Sequence, residues 1–282
     1  MSAPLTGDRR PDSTPEHVPK SGHGHEGREP APKFRVDLAK DAADIRAAQR
    51  VRYLVFVQEL GGNGAGVDHA QRLEKDRFDA FADHLLLRDL AVPGAPVVGV
   101  YRLMGMGAAA AAGQFYTEDE YDLTRLRQGG RQLLELGRSC LLPPYRGGTA
   151  LHAMWNGLAA FVMRHRAEIL FGTASFHGTD LAALREPLSW LYHRHLAPAD
   201  LRVRVRHEHC VAMNRIPAAE INALSAVRAL PGLIKAYLRL GGYVGDGAFV
   251  DRAFNTTDVC LVMDTARLNP VQRALYTAQS SR

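Results

Sequence analysis

Between Leu133 and Met163 the chain reads LLELGRSCLLPPYRGGTALHAMWNGLAAFVM, and the hydrophobic period changes once inside it. Leu133–Leu142 is an apolar run that carries one acid, Glu135, and one base, Arg138. Closed by Pro143 and Pro144, neither of which can donate to a ladder, it reads as a buried strand. Further on, Leu151, Met154, Trp155, Leu158, Ala159 and Val162 recur at steps of three and four, which is one face of a helix. Tyr145-Arg146-Gly147-Gly148-Thr149 joins the two. A strand, a basic glycine turn and a helix N-terminus can hold an anionic group, because the helix offers free N–H groups and glycine lets the backbone come close. The same pattern also serves as an ordinary tight connection.

The chain on either side alternates short strands and helices. Phe34–Leu38 reads as a first strand, and Asp41 or Asp44 caps a helix running to about Leu60. Gly61–Gly66 is a glycine-rich loop. Glu74, Asp76, Asp79 and Asp83 cluster with Phe78 and Phe81, either as a wall that attracts a cation or as a solvated turn. His84–Asp89 and Val97–Met104 form a hairpin across Pro93-Gly94-Ala95-Pro96. Arg102 lies within that second strand and needs an anionic partner, for which Glu135 is the candidate. Ala108–Ala112 reads as loop, and Ile169–Ser175 as another buried strand. An insertion near 177–230 holds a helix near Leu181–His193 and a strand, Leu201–His207. Along that strand Arg202, Arg204 and Arg206 point one way and Val203 and Val205 the other. Pro231–Leu240 is a helix ended by Gly241-Gly242, and Tyr243–Val250 and Val259–Asp264 are the last strands.

A chain of 282 residues with 46% hydrophobic content can bury a sizeable core. Residues 1–33 contain six of the fifteen prolines and five bases against five acids, and are expected to be a disordered tail. His23 and His25 within it could bind metal, but a solvated tail accounts for them, and no metal site is expected. The folded body spans 34–266, with a C-terminal tail at 267–282. The net charge of +5 therefore belongs to residues 34–282, and is compatible with an acidic partner or peripheral contact with an anionic membrane surface. Basic and aromatic residues do not interleave as nucleic-acid binding requires. Cys140, Cys210 and Cys260 are sparse and lack a CxxC spacing, which suits a reducing cytoplasm. No apolar run reaches the ~20 residues of a membrane span, and no signal-like segment opens the chain.

The strand–turn–helix resembles motif A of the GNAT acyltransferases, whose turn usually runs Arg/Gln-x-x-Gly-x-Gly/Ala; here RGGTA, Arg146 to Ala150, is about one residue short. HLLLRD (His84 to Asp89) and VGVYRL (Val98 to Leu103), followed by ELGR (Glu135 to Arg138), resemble the subgroup that takes acyl groups from acyl carrier protein. Within it, LELGRSC (134–140), FGTASF (171–176) and DRAFNTTDVC (251–260) resemble the L-ornithine Nα-acyltransferases, relatives of the acyl-homoserine-lactone synthases. The resemblance covers roughly Phe34 to Asp264. It implies an α/β (α+β) fold of GNAT type, a central mixed and mostly antiparallel sheet flanked by helices. It implies transfer of a 3-hydroxy fatty acyl group from acyl carrier protein to the α-amine of L-ornithine, with the thioester as co-substrate and no cofactor. The short turn disfavours coenzyme A, and the Arg202–Arg206 face is either a docking surface for the acidic carrier or a charged edge that prevents aggregation.

Amide formation from a thioester needs a base for the amine, donors for the oxyanion and a proton for the thiolate. Glu135, a lone carboxylate in an apolar strand, is the candidate base; the alternative is a structural partner for Arg102 or Arg138. The resemblance implies that the strand splays from its neighbour and offers backbone N–H groups around Ser139, Cys140 and Leu141, and that Tyr237 stands where many of these enzymes keep a general acid. Cys140 as a nucleophile is a rival without an evident activating histidine. Arg102, Arg138, Arg146, Gly147 and Gly148 complete the expected donor side. Asp79, Asp246, Asp251 and Asp258 are candidates for the acceptor's ammonium. Other classes are a homoserine-lactone synthase, a coenzyme A acetyltransferase, and a basic protein that binds the inner membrane surface without catalysis.

Overall fold

The computed structural model describes residues 34–206 and 210–268. The tail at 1–33 with His23 and His25, His207, and 269–282 of the C-terminal tail lie outside the described residues. β1 (Phe34–Leu38) leads to Asp41, whose carboxylate accepts the Asp44 N–H at 2.9 Å and starts α1 (Ala42–Arg52). The helix then widens into π turns over Tyr53–Glu59. After a small ladder of β2 (Val67–Asp68) and β3 (Leu73–Glu74), β4 (Asp83–Asp89) and β5 (Val97–Gly105) make the expected hairpin. The alanine run expected as loop is instead part of α2 (Met106–Ala112). Alanine is the best helix former, so the run needs only a stop, and Gly113 supplies it at φ +89°.

β6 (Tyr121–Asp122) and α3 (Thr124–Gln128) precede the central unit of β7 (Leu133–Leu141), α4 (Gly148–Arg164) and β8 (Ile169–His177). α4 buries Ala150, Met154, Leu158 and Phe161, while Leu151, expected on that face, is 40% exposed. The insertion folds as α5 (Arg185–His195), β9 (Arg204–Val205), β10 (Cys210–Val211) and α6 (Ala223–Ala229). Among the described residues of the expected 201–207 strand, Arg204 and Val205 alone form a ladder, with β6, because their neighbours bond elsewhere: Arg202 donates to the Ala197 carbonyl and Arg206 to the Glu118 carbonyl. The chain closes with α7 (Gly232–Arg239), β11 (Tyr243–Val244), β12 (Ala248–Asp251) and β13 (Thr256–Asp264). The expected single strand at 243–250 is thus two, split around Gly247 at φ +91°.

Nine strands form one mixed sheet in the order β1-β4-β5-β7-β8-β13-β12-β10, with β11 also on β13. Every pairing is antiparallel except β7 with β8, and a parallel pair needs a crossover, which α4 provides. That parallel ladder is short: Leu133–Glu135 pair with Ile169–Phe171, and then the strands part. The split begins at Gly172, where a Cβ would lie 2.1 Å from the Leu136 carbonyl oxygen, so only glycine allows the approach. β8 continues instead along all nine residues of β13. One apolar core lies between the sheet and α4, α5 and α7; two smaller cores, around Phe115–Phe171 and around α1, cover the other face.

Candidate active site

The gap between β7 and β8 opens into a cavity of about 240 Å³. Leu136, Gly137, Arg138 and Ser139 form one wall and Gly172–Ser175 the opposite one. Phe56 from the π turns, Leu60 just after them, Leu233 and Tyr237 from α7, and Asp251, Phe254, Thr256 and Asp258 from β12–β13 also line it, as do Tyr101 and Tyr116. Beyond Glu135, β7 has no ladder partner on the β8 side, so alternate backbone N–H groups of Gly137–Leu141 point into the gap.

A bulge aims this strand. Val100 pairs with Cys140 and Arg102 with Gly137, so Tyr101 opposes two residues, Arg138 and Ser139. Arg138 takes the strain, with φ +49°. Its guanidinium lies 4.4 Å from the Tyr116 ring centroid, and donates to Glu74 at 3.2 Å and to Asp76 at 3.1 Å. The bulge also inverts the alternation of the strand: Ser139 faces the cavity, whereas Cys140 packs against Ala48, Val51 and Val55 on the other side. Burial pushes the Cys140 thiol up to about 12, leaving it inert as a nucleophile.

Arg102, expected opposite Glu135, belongs to a buried ion network instead. Arg102 Nη1 bonds Asp76 at 2.5 Å and Asp79 at 3.0 Å, while Arg52 binds Asp79 at 2.6 Å and also Glu74. Three arginines and three acids thus lock β3, β5, α1 and the bulge together. Asp79, a candidate for the acceptor, is committed to this network and does not line the cavity. Burial alone would raise the Asp79 carboxyl, but Arg52 beside it holds it well below the usual carboxylate range.

Glu135 does not line the cavity either. Its two oxygens accept the backbone N–H groups of Tyr116 at 3.0 Å and Thr117 at 2.5 Å, pinning the turn at Tyr116–Asp119. Glu135→Gln leaves one amide N–H group facing a backbone N–H group. The expected result is a loss of about 1–3 kcal/mol in stability, with turnover per folded molecule within a few-fold of wild type. Denaturant titration together with kinetics on the folded fraction checks it.

Tyr237 does reach the cavity, and its hydroxyl lies 2.5 Å from that of Tyr101, which also bonds the Ser139 side chain. Asp251 and Asp258 both line the cavity. Asp251 Oδ1 accepts the N–H groups of Ala253 at 2.8 Å and Phe254 at 3.0 Å, fixing the β12–β13 turn. Asp258 faces Ser175 across the ladder, and burial raises its carboxyl to about 6. Asp246 lies elsewhere, its backbone bridging Val203 and Val205 and its carboxylate 3.5 Å from Arg204. On the donor side Arg146 is held by Glu59 through two bonds of 2.6 and 2.5 Å. Gly147 and Gly148, at φ +108° and +54°, face open space at the α4 N-terminus.

Three residues stand out here that the sequence reading passed over: Tyr101, Tyr116 and Glu120. Tyr101 is indistinguishable from an ordinary strand aromatic until the bulge is known. Tyr116 and Glu120 sit in YTEDEYD, whose acids resemble a solvated turn, yet Glu120 is only 3% exposed.

A family model described as an acetyltransferase (GNAT) domain matches residues 51–156. The chain is 54% identical over 247 residues to an L-ornithine Nα-acyltransferase of Rhodobacter capsulatus, covering 86% of this chain and 95% of the relative. It is 40% identical over 254 residues to the protein of the same name from Brucella abortus, covering 88% and 90%. Among solved structures, an N-acyl amino acid synthase from uncultured soil microbes superposes with a TM-score of 0.53 at 10% identity, over 86% of this chain and 97% of that one. At that identity the likeness concerns the fold alone.

Proposed function

The chain belongs to the L-ornithine Nα-acyltransferases, N-acyltransferases on a GNAT-like fold, and from that premise we propose that it moves a 3-hydroxy fatty acyl group from acyl carrier protein to the α-amine of L-ornithine, giving lyso-ornithine lipid, the first step of ornithine-lipid synthesis. The observation that carries this reading is the cavity at the β7–β8 split. It combines backbone donors, a hydroxyl relay and carboxylates in one place.

The α-amine attacks the thioester carbonyl, whose oxygen becomes an oxyanion received by the N–H groups that β7 directs into the gap. As the C–N bond forms the ammonium becomes acidic, and Asp251, on the wall and only half-buried, takes its proton and passes it to solvent. The C–S bond breaks and Tyr237 protonates the departing thiolate; the proton is replaced from solvent in the cavity, relayed through the Ser139 and Tyr101 hydroxyls. A second cavity of about 330 Å³, lined by Trp155, Leu158, Val162, Leu240 and Leu268, shares Leu170, Tyr237 and Met263 with the first. An acyl chain lying there brings its carbonyl to the split.

Carrier protein rather than coenzyme A fits the turn. A pyrophosphate at Arg146 would have to displace Glu59. Tyr237→Phe is expected to lower kcat by about 10²-fold with little change in donor KM; unchanged turnover with reduced stability would make Tyr237 a core residue. The reading as a whole is tested by thiol release from 3-hydroxyacyl carrier protein in the presence of ornithine, repeated with the same acyl group on coenzyme A. Efficient turnover of the carrier thioester, weakening as salt rises, supports it. Equal use of coenzyme A without salt dependence contradicts the donor assignment.

A further inference from the structure

Two buried acids carry oxygens that nothing among the described residues satisfies: Asp258 on the cavity wall, and Glu120 in the turn whose Tyr116 lines that cavity. Glu120 closes the Tyr116–Asp119 turn, and its Oε2 is buried without a hydrogen-bond partner. Asp258, 5% exposed on β13, is in the same condition at Oδ1, although Ser175 and Thr256 bond its carboxylate. The two charges act on each other, and Asp251 adds a third. Arg138 is the arginine that faces this group, and Glu74 and Asp76 already engage it. A buried carboxylate left this way is costly unless a cation arrives to pair with it.

The shape of the missing partner follows from the donors it must bring. No group of three or more His, Cys, Asp or Glu among the described residues is arranged to hold a metal ion. A primary ammonium offers three N–H donors on a slender chain, enough for Glu120 Oε2 and Asp258 Oδ1 together. We propose that Glu120 and Asp258 jointly receive the side-chain ammonium of the acceptor amino acid, and so select an acceptor with a cationic side chain. The inference rests on the acceptor reading above and adds Glu120 to it. It also fixes the orientation: with the side-chain ammonium held at the acids, the α-amine is the nitrogen left to face the thioester.

The test compares ornithine with norvaline, which has the same carbon skeleton without the ammonium, in wild type, Glu120→Gln and Asp258→Asn. Wild type is expected to prefer ornithine by about 10²-fold or more in kcat/KM, since a site built for N–H donors rejects an analogue that lacks them. Each variant is expected to lower that preference at least about tenfold, mainly through a higher ornithine KM. Glu120→Gln should keep or raise the melting temperature, because it removes an unpaired buried charge. A lowered melting temperature with the preference intact in both variants would mean that the acids are structural, and would overturn the proposal. Calorimetric binding of the two amino acids without donor separates this from the reaction itself. Ornithine-selective binding lost in Glu120→Gln upholds the inference even if no acyl transfer occurs, and equal binding of ornithine and norvaline by wild type defeats it even if transfer does.

Discussion

Asp251→Asn is expected to cut kcat for ornithine acylation by about 10²–10⁴ while leaving the fold intact. The fold survives because asparagine keeps an oxygen where Asp251 Oδ1 accepts the Ala253 and Phe254 N–H groups. What is lost is a proton acceptor on the cavity wall, half-open to the solvent that must carry the proton away. The change should fall on kcat more than on ornithine KM, since the charge that receives the side-chain ammonium is assigned to other residues. Steady-state kinetics and a thermal melt on the same preparation check it. Near-wild-type turnover in Asp251→Asn would return the role of base to Glu135 or to solvent.

Arg52→Met is expected to cost about 3–5 kcal/mol of stability, the largest effect on folding among single changes near the site. Arg52 is 1% exposed and engages Glu74 and Asp79 together, so its removal leaves two buried carboxylates with one arginine each, Arg138 for Glu74 and Arg102 for Asp79. Methionine fills much of the volume, which keeps the comparison to charge rather than to a cavity. The network carries a pH signature of known sign. Asp76 and Asp79 sit below their ordinary range: burial acts to raise both, but Arg102 and Arg138 beside the first and Arg52 beside the second more than offset it. A depressed carboxyl contributes stability that is complete above the unfolded value of about 3.9 and is lost as pH falls toward the folded one. Wild type should therefore lose stability below about pH 4, and Arg52→Met should lose less there. Denaturant midpoints from pH 3 to 7 for both proteins, about 0.5 pH unit apart, measure this.

Periodicity made the framework legible. β1, β4, β7, α4, β8 and α7 lie within a few residues of the stretches that alternation, helical spacing and proline or glycine stops mark out. Tyr237 was marked out by the family resemblance, and Asp251 and Asp258 by the segment that carries them. The misplaced residues share one physical cause. Pairing of charges depends on which strands adjoin and on where a bulge shifts the phase, and neither is written in a local window. Arg102 and Glu135 lie on neighbouring strands, yet Met104 rather than Arg102 stands opposite Glu135, and the acids of the 74–79 segment reach Arg102 first. Cys140 is turned away by the same bulge that turns Ser139 inward. Glu120 was hidden because an acid among acids reads as solvated, and its burial shows only in the fold, where the neighbouring Tyr121 bonds the Asp258 carbonyl of β13.

The central claim is which nitrogen becomes acylated. Purified protein is offered 3-hydroxyacyl carrier protein with ornithine, and the product is placed by tandem mass spectrometry and by nitrogen-resolved NMR. The account predicts a single amide at the α-nitrogen with the side-chain amine still titratable; an amide at the side-chain nitrogen, with the α-amine free, would contradict it.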